Sequence, residues 1–344
     1  MRIDFDLALS GPNTCFPRGV ETTTDAVAAG RVDARSAEEL GVELIHIADP
    51  DETPPALAVT AARRALTAAG LSGPDVGLLL HCSVWHQGWD MWSPAHHIAA
   101  RIGADAALPI GVNQGCNAVM AAVELAAPWL AADRSGRSVM VTAGDRFLAP
   151  GFDRWRGNFG FVHGDAATAA VLRRGPVAGA LAVRAVRSRT APHLEEMNRA
   201  GLEPTVAARM NGDVDLRAPK KAYFMRHGLR DFEKLTEESV RGVIEESLAD
   251  AGVAPDDARI RGVAVPRMSE ALVRHVYAPL LSTVTPAPVL PMQRRTGHLA
   301  CSDVLANVAD LHVVALDRPG DVGVVLNIGG GYTWSALVVE VPGW

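Results

Sequence analysis

Aromatic residues make up only 5% of this 344-residue chain, and its 33 basic residues are outnumbered by 39 acidic ones. A nucleic-acid binder needs a basic face, so the balance argues against one. Cysteine is also scarce: the four, at 15, 82, 116 and 301, form no CxxC pair and no zinc spacing. The amino-terminal residues lack the charged-then-apolar signature of a secretory signal, and no apolar run reads as long enough to span a bilayer. The expectation is a cytoplasmic, reduced, metal-free protein. With 48% hydrophobic residues, the length suits one large α/β domain or two fused ones.

What is present is a repeat. A helix over Ala56 to Ala69 leads to Ala69-Gly70-Leu71, a Pro/Asp turn and the apolar strand Val76 to Leu80. The same order returns as a helix over Glu237 to Asp250, then Ala251-Gly252-Val253, a Pro/Asp turn and the strand Ile260 to Val265. In each copy the glycine supplies a left-handed helix stop, and Pro with Asp marks the turn. The next pair also matches. A helix over Val119 to Ala132 with a strand over Ser138 to Ala143 is answered by a helix over Asp303 to Leu316 with a strand over Gly323 to Ile328. Each half closes on a glycine-bearing turn and a strand, at 163–172 and 329–339.

Apolar strands alternating with helices predict parallel-rich sheets covered on both faces. The predicted organisation is a first half over 1–187, a connecting and substrate-facing insertion over 188–232 and a second half over 233–344. The insertion is marked by Pro192, Pro204, Asn211-Gly212-Asp213 and Pro219-Lys220-Lys221.

Cys116 stands in Val112-Asn113-Gln114-Gly115-Cys116-Asn117-Ala118, between a strand-like approach and a small-residue helix. A thiol at such an elbow faces the positive end of a helix dipole, which favours an anion. The same residue fits a buried core thiol equally well, and its neighbours alone leave both readings open.

The duplicated halves, the elbow at Cys116, the Gly164-Asp165-Ala166 run and the closing Gly329-Gly330-Gly331-Tyr332-Thr333-Trp334 together resemble the thiolase superfamily. Within it they resemble the type III β-ketoacyl-acyl-carrier-protein synthases, over nearly the whole chain. The resemblance implies a five-layered αβαβα thiolase fold and a homodimer. It also implies an acyl donor carried on the phosphopantetheine arm of an acyl carrier protein or on coenzyme A, with no bound cofactor.

Two positions depart from that family, which uses a Cys-His-Asn triad. Where its histidine run stands, this chain reads Pro266-Arg267-Met268-Ser269. Where its asparagine stands, the chain has His298, in Gly297-His298-Leu299-Ala300-Cys301-Ser302-Asp303. Decarboxylative condensation needs two donors on a malonyl thioester, and one is missing. The remaining set resembles the subgroup that carries Cys-His-Asp and acts as acyltransferases in natural-product biosynthesis.

The expectation is therefore Cys116 as nucleophile, His298 as general base and Asp303, about one turn into the helix, as its orienting carboxylate. The backbone N–H groups of Cys116, Gly330 and Gly331 would form the oxyanion hole. The acceptor would be a hydroxyl of a small molecule, such as a glycoside or natural product, or a second carrier protein. Trp85, Trp89, Trp92, Phe159 and Phe161 are expected either to line the acyl pocket or, for the tryptophans, to pack at a dimer interface. Arg217, Lys220, Lys221, Arg226, Arg230, Arg267 and Arg274 are candidates for a basic patch facing an acidic carrier protein. Cys15, Cys82 and Cys301 read as structural. Rival readings are a starter-unit condensing enzyme, a thioesterase and a non-catalytic partner subunit. No membrane or nucleic-acid partner is expected.

Overall fold

The computed structural model describes residues 1–206 and 214–343, so the Asn211-Gly212-Asp213 turn signal lies outside the described residues. The first half runs β1 (Leu7–Cys15), β2 (Gly19–Thr22), α1 (Thr23–Ala28), α2 (Ala34–Leu40), β3 (Leu44–Ile47), α3 (Pro54–Ala69), β4 (Val76–Cys82), α4 (Pro94–Arg101), β5 (Leu108–Val112), α5 (Ala118–Ala132), β6 (Ser138–Asp145) and β7 (Ala166–Arg174). The second runs β8 (Leu181–Thr190), α6 (Arg217–His227), α7 (Arg230–Asp250), β9 (Ile260–Ala264), α8 (Glu270–Leu272), α9 (Ala278–Ser282), β10 (Val289–Leu290), α10 (Asp303–Val314), β11 (Val322–Gly329) and β12 (Thr333–Glu340).

The repeat is realised in the sheet order. The sequence β10-β9-β11-β12-β8 continues into β1-β7-β6-β4-β5. Read outward from the centre, each half places its first strand, then its last, then the parallel strands. The join between the halves is thin: β8 meets β1 only through Ala8–Ala182 and Leu9–Leu181. The expected boundary at residue 187 falls inside β8, which pairs along its length with β12. The division between the halves lies before that strand.

Local chemistry sets the elements. Thr53 caps α3 by accepting from the Ala56 N–H, Pro54 and Pro55 fill the first helical positions, and Gly70 ends the helix at φ 65°. All seven residues of β4 and all eight of β6 are buried, as interior parallel strands require.

Alternation along β4, reset by an irregularity between Val76 and Leu78, then builds layers. Val76 and Leu79 pack outward on Leu57, Ala58 and Ala61 of α3. Leu78 and Leu80 pack inward on Val119 and Val123 of α5, in a cluster shared with Val304 and Leu305 of α10 and Val325 of β11. On the far side Val240, Val243 and Ile244 of α7 cover Val324 and Ala336. The result is helix, sheet, paired central helices, sheet and helix, the αβαβα arrangement expected. One expectation needs correction. The eighteen residues Gly115–Ala132 have a mean hydropathy of 1.3, enough by length and composition for a membrane span. They are apolar because α5 is wedged between two sheets.

Candidate active site

The elbow forms where β5 ends and α5 begins. Gly115 holds φ 54°, a left-handed turn that presents the next residue, Cys116, at the helix start. The second half pins this turn: Asn327 of β11 donates through Nδ2 to the Cys116 carbonyl at 2.9 Å and to Asn117 Oδ1 at 3.1 Å. Asn117 donates in turn to Ser335 Oγ at 2.7 Å. The glycine run lies against the same turn. A methyl on Gly115 would stand 3.1 Å from the Gly330 carbonyl oxygen, and one on Gly329 would stand 2.6 Å from Asn117 Cβ.

His298 comes from the other half. Its loop is stitched to the segment before β7 by the His298 N–H to Val162 carbonyl bond at 2.7 Å and the Gly164 N–H to His298 carbonyl bond at 3.0 Å. Gly164 permits this close approach, because a methyl there would lie 2.1 Å from the Thr296 carbonyl oxygen. Asp165, next in that run, is fully buried. It accepts from the Ala48 and Phe147 N–H groups and pairs with Arg154, so it braces the loop from below.

The imidazole bridges the two halves. His298 Nδ1 lies 2.6 Å from Asp303 Oδ2, and Nε2 lies 3.3 Å from Cys116 Sγ. Asp303 stands at the first residue of α10, after a short 3-10 turn over Ala300–Ser302, and not a turn further in as expected. It also accepts from the Leu299 N–H at 2.7 Å and the Arg267 N–H at 2.9 Å. Burial works against both charges. For Asp303, the His298 and Arg267 charges prevail and hold its carboxyl below the usual range. For His298, the facing Asp303 and then Cys116 prevail and raise the imidazole above its ordinary value. That arrangement favours the charged imidazolium and points Nε2, the nitrogen that could exchange a proton there, at the sulfur.

Cys116 packs against a small aromatic group of Phe147 and Phe152, joined by Trp85. Phe161 lies over His298, with ring centroids 4.8 Å apart. Trp85 and Phe161 thus reach the site. Trp89 and Trp92 do not: they meet edge to face at 5.0 Å on the outer side, with Trp89 65% exposed. Phe159 also faces outward, under the Arg217 guanidinium at 4.6 Å. The Cys301 thiol, pushed far up by burial and Asp145, donates to the Gly115 carbonyl, while Cys15 and Cys82 are buried, all three as expected.

Two basic residues are not where a docking patch would put them. Arg267 is buried: it binds Asn307 Oδ1, the Met292 carbonyl and Thr296 Oγ1, and pairs with Asp310 at 2.5 Å. The spacing Asp303, Asn307, Asp310 along one face of α10 is the signal that could have placed it there. Lys220 turns inward and donates to Asn158 Oδ1 at 2.6 Å. Burial lowers its ammonium to about 8. Arg274, Arg230, Lys221 and Arg226 are exposed, the last paired with Glu196.

Two contributors went unread in the sequence, while Asn158 belongs to the Asn158-Phe159-Gly160-Phe161 run expected near the pocket. Asn327 holds the elbow, and His163 lies edge-on to His298 with ring centroids 5.2 Å apart. The placement of His163 directly before Gly164-Asp165 was the available signal. Among the described residues no cluster of His, Cys, Asp and Glu could hold a metal ion.

A cysteine at a strand-to-helix elbow, faced by a histidine across the seam of a duplicated α/β fold, resembles a thiolase-superfamily site. The family model for 3-oxoacyl-acyl-carrier-protein synthase III matches residues 110–189, which hold the elbow and the Gly164-Asp165 run. The β-ketoacyl-acyl-carrier-protein synthase III of Sphingopyxis alaskensis is 28% identical over 97% of this chain and 98% of its own length. The Mycobacterium tuberculosis mycobacterial β-ketoacyl-acyl-carrier-protein synthase III is 26% identical over 88% and 85%. Among solved structures, the acyltransferase ChlB3 superposes with a TM-score of 0.89 at 29% identity, covering 98% of both chains. AbyA1, a tetronic acid condensing enzyme, shares the fold at a TM-score of 0.76 and 23% identity. Over nearly its whole length the chain is thus similar to type III 3-oxoacyl-acyl-carrier-protein synthases and to the acyltransferase ChlB3.

Proposed function

We propose that this enzyme transfers an acyl group from an acyl carrier protein or coenzyme A thioester, through Cys116, to an acceptor hydroxyl, without forming a carbon–carbon bond. The observation that carries the reading is the pairing of His298 with both Cys116 and Asp303, while the stretch after β9 aims no donor at the sulfur. Pro266 has no donor, Arg267 is committed to α10 and its neighbours, Met268 belongs to the core, and Ser269 Oγ accepts from the Leu272 N–H.

In the first half-reaction the Cys116 sulfur attacks the thioester carbonyl, and the carrier sulfur leaves with the proton held by His298. In the second, His298 Nε2 takes the proton of the acceptor hydroxyl as its oxygen attacks the acyl-cysteine, and the Cys116 sulfur departs. The Cys116 N–H and those of Gly330 and Gly331 would hold the developing oxyanion, each worth about 3 kcal/mol. The approach of the Gly330 backbone to Gly115 supports this assignment. The acceptor is a small-molecule hydroxyl or a second carrier protein, and exposed Lys221, Arg226 and Arg274 are the candidates for docking the carrier.

A homodimer fits the outer edge of the sheet. Edge strand β5 exposes Leu108 and Ile110, and Trp89 and Met91 are exposed as well. Such an edge favours covering by a second copy. Analytical ultracentrifugation would read the expected dimer, and loss of the dimer in Ile110→Lys.

The test of the activity is intact-protein mass spectrometry with a panel of acyl-carrier-protein and acyl-coenzyme A donors. An adduct on Cys116 that is absent in Cys116→Ala and discharged by an alcohol acceptor is expected. The names of the curated relatives favour the condensing alternative, so malonyl thioester is included. A β-ketoacyl product from the native enzyme would overturn the transfer reading.

A further inference from the structure

His163 is a buried imidazole that the proposed transfer leaves without a role, and it lies beside the reacting groups. The two bonds that tie the His298 loop to the segment before β7 pair His163 with His298 side by side, and the rings meet edge-on at 5.2 Å. The His163 ring also packs on Phe147 at 4.7 Å and Phe152 at 4.8 Å, the two phenylalanines that Cys116 packs against. Its backbone is held in place. The N–H donates to the Arg154 carbonyl at 3.0 Å, and the carbonyl accepts from Arg154 Nη1 at 3.1 Å.

What the ring lacks is a partner. His163 Nδ1 is buried with no hydrogen bond, and among the described residues Nε2 has no protein partner either. A buried histidine with a purely structural task looks different in this chain: His81 has Thr142 Oγ1 3.0 Å from Nδ1 and Gln87 Oε1 3.1 Å from Nε2. Burial, then the neighbouring His298 charge, keep His163 uncharged, so its ring carries a single proton. Sealed N–H groups without an acceptor are rarer than sealed lone pairs. The proton therefore belongs on Nε2, which becomes a donor with nothing to donate to.

In the proposed transfer the acceptor oxygen comes within reach of His298 Nε2 as it attacks the acyl-cysteine. Ring centres 5.2 Å apart allow one oxygen to sit about 2.8 Å from a nitrogen of each. Resting on the acyl-transfer reading, we propose that His163 binds the acceptor: its Nε2–H donates to the oxygen of the attacking hydroxyl while His298 Nε2 takes that hydroxyl's proton. The oxygen attacks the acyl carbonyl with its other lone pair, the bond from that carbon to the Cys116 sulfur breaks, and His163 keeps its own proton throughout. An alcohol oxygen has a lone pair for each task. An amine nitrogen has one, which the attack consumes, so this arrangement favours hydroxyl acceptors over amines.

The experiment separates the two half-reactions. Cys116 is loaded with p-nitrophenyl acetate, and acylation is read from p-nitrophenolate release. Discharge of the acetyl-enzyme by glycerol, or by methoxyamine as the amine probe, is followed by intact-protein mass spectrometry. His163→Phe keeps a ring between Phe147 and Phe152. It should leave acylation and discharge by methoxyamine within about twofold of native and slow discharge by glycerol about 5- to 10-fold, the worth of one neutral hydrogen bond. His163→Gln sets an amide N–H near the place of Nε2 and should recover part of the loss. His163→Asn, whose amide reaches only toward the place of Nδ1, should not.

Unchanged discharge by glycerol in His163→Phe would overturn the proposal. So would an equal loss in acylation and in both discharge reactions with the melting temperature retained, since that marks an effect on His298 or Cys116. If His163→Phe fails to fold, the amide pair carries the test, and equal glycerol rates in His163→Gln and His163→Asn count against the proposal. Failure of the transfer reading looks different: methoxyamine strips the native acetyl-enzyme, while no alcohol, glycerol included, does so.

Discussion

The Gly164→Ala substitution tests how the two halves are held at the site. The added methyl would lie 2.1 Å from the Thr296 carbonyl oxygen. Carbon–oxygen contacts close at about 3.3 Å, so a gap of roughly 1.2 Å has to open. The oxygen belongs to backbone and cannot swing aside like a side-chain tip. Gly164 has an ordinary negative φ, so alanine brings no torsional penalty of its own and the effect is one of contact. The loop that must yield carries His298, and its displacement lengthens the 3.3 Å approach to Cys116. A misplacement of about 1 Å at reacting groups costs roughly 100-fold in rate. The overpacking itself should cost about 1–3 kcal/mol of stability. The assay is alkylation of Cys116 by iodoacetamide at neutral pH, which needs no knowledge of the donor, alongside acyl transfer and a urea melt. Rates within about twofold of native, with stability unchanged, would refute the claim that this contact registers the base on the nucleophile.

Other substitutions probe the same framework. Asp303→Asn keeps the shape, but its amide nitrogen must face a donor, so transfer should fall by about 10³- to 10⁴-fold with the fold retained by circular dichroism. Arg267→Met should lose about 3 kcal/mol in urea melts, because Asp303 is left with a buried charge short of a partner. It should leave the KM for carrier protein unchanged, whereas a raised KM would return Arg267 to the docking surface. Asp145 accepts from the Val84 and Trp85 N–H groups, yet burial raises its carboxyl to about 6. The folded chain then binds more protons than the unfolded chain between the ordinary carboxylate range and about 6. Stability from this group therefore falls as pH rises through that window. Urea titrations at acidic and neutral pH should show the native advantage over Asp145→Asn shrinking on the way up, and a constant difference would contradict the assignment.

Periodicity and turn chemistry made the halves readable, because glycine stops and buried strands leave local marks. The predicted helix over Ala56 to Ala69 differs from α3 only by its two opening prolines. The proposed triad was readable through resemblance, not through spacing. Charged residues were the weak point. Lys220 and Arg267 read as surface groups because charge type says nothing of direction. Arg267 is buried by partners spread over Met292, Thr296 and α10, and Lys220 by an asparagine 62 positions away. Only the fold brings those partners together. The tryptophan cluster divides between its two readings: Trp85 reaches Cys116, while Trp89 and Trp92 lie on the outer face, where packing against a second copy would place them.

The seam between the halves also has a consequence in time. Cys116 is made 182 residues before the imidazole that faces it. A nascent or truncated chain carries the sulfur without its base, and the Asn327 that shapes the elbow comes later still. On the proposed reading, reactivity is thus withheld until both halves have folded against each other.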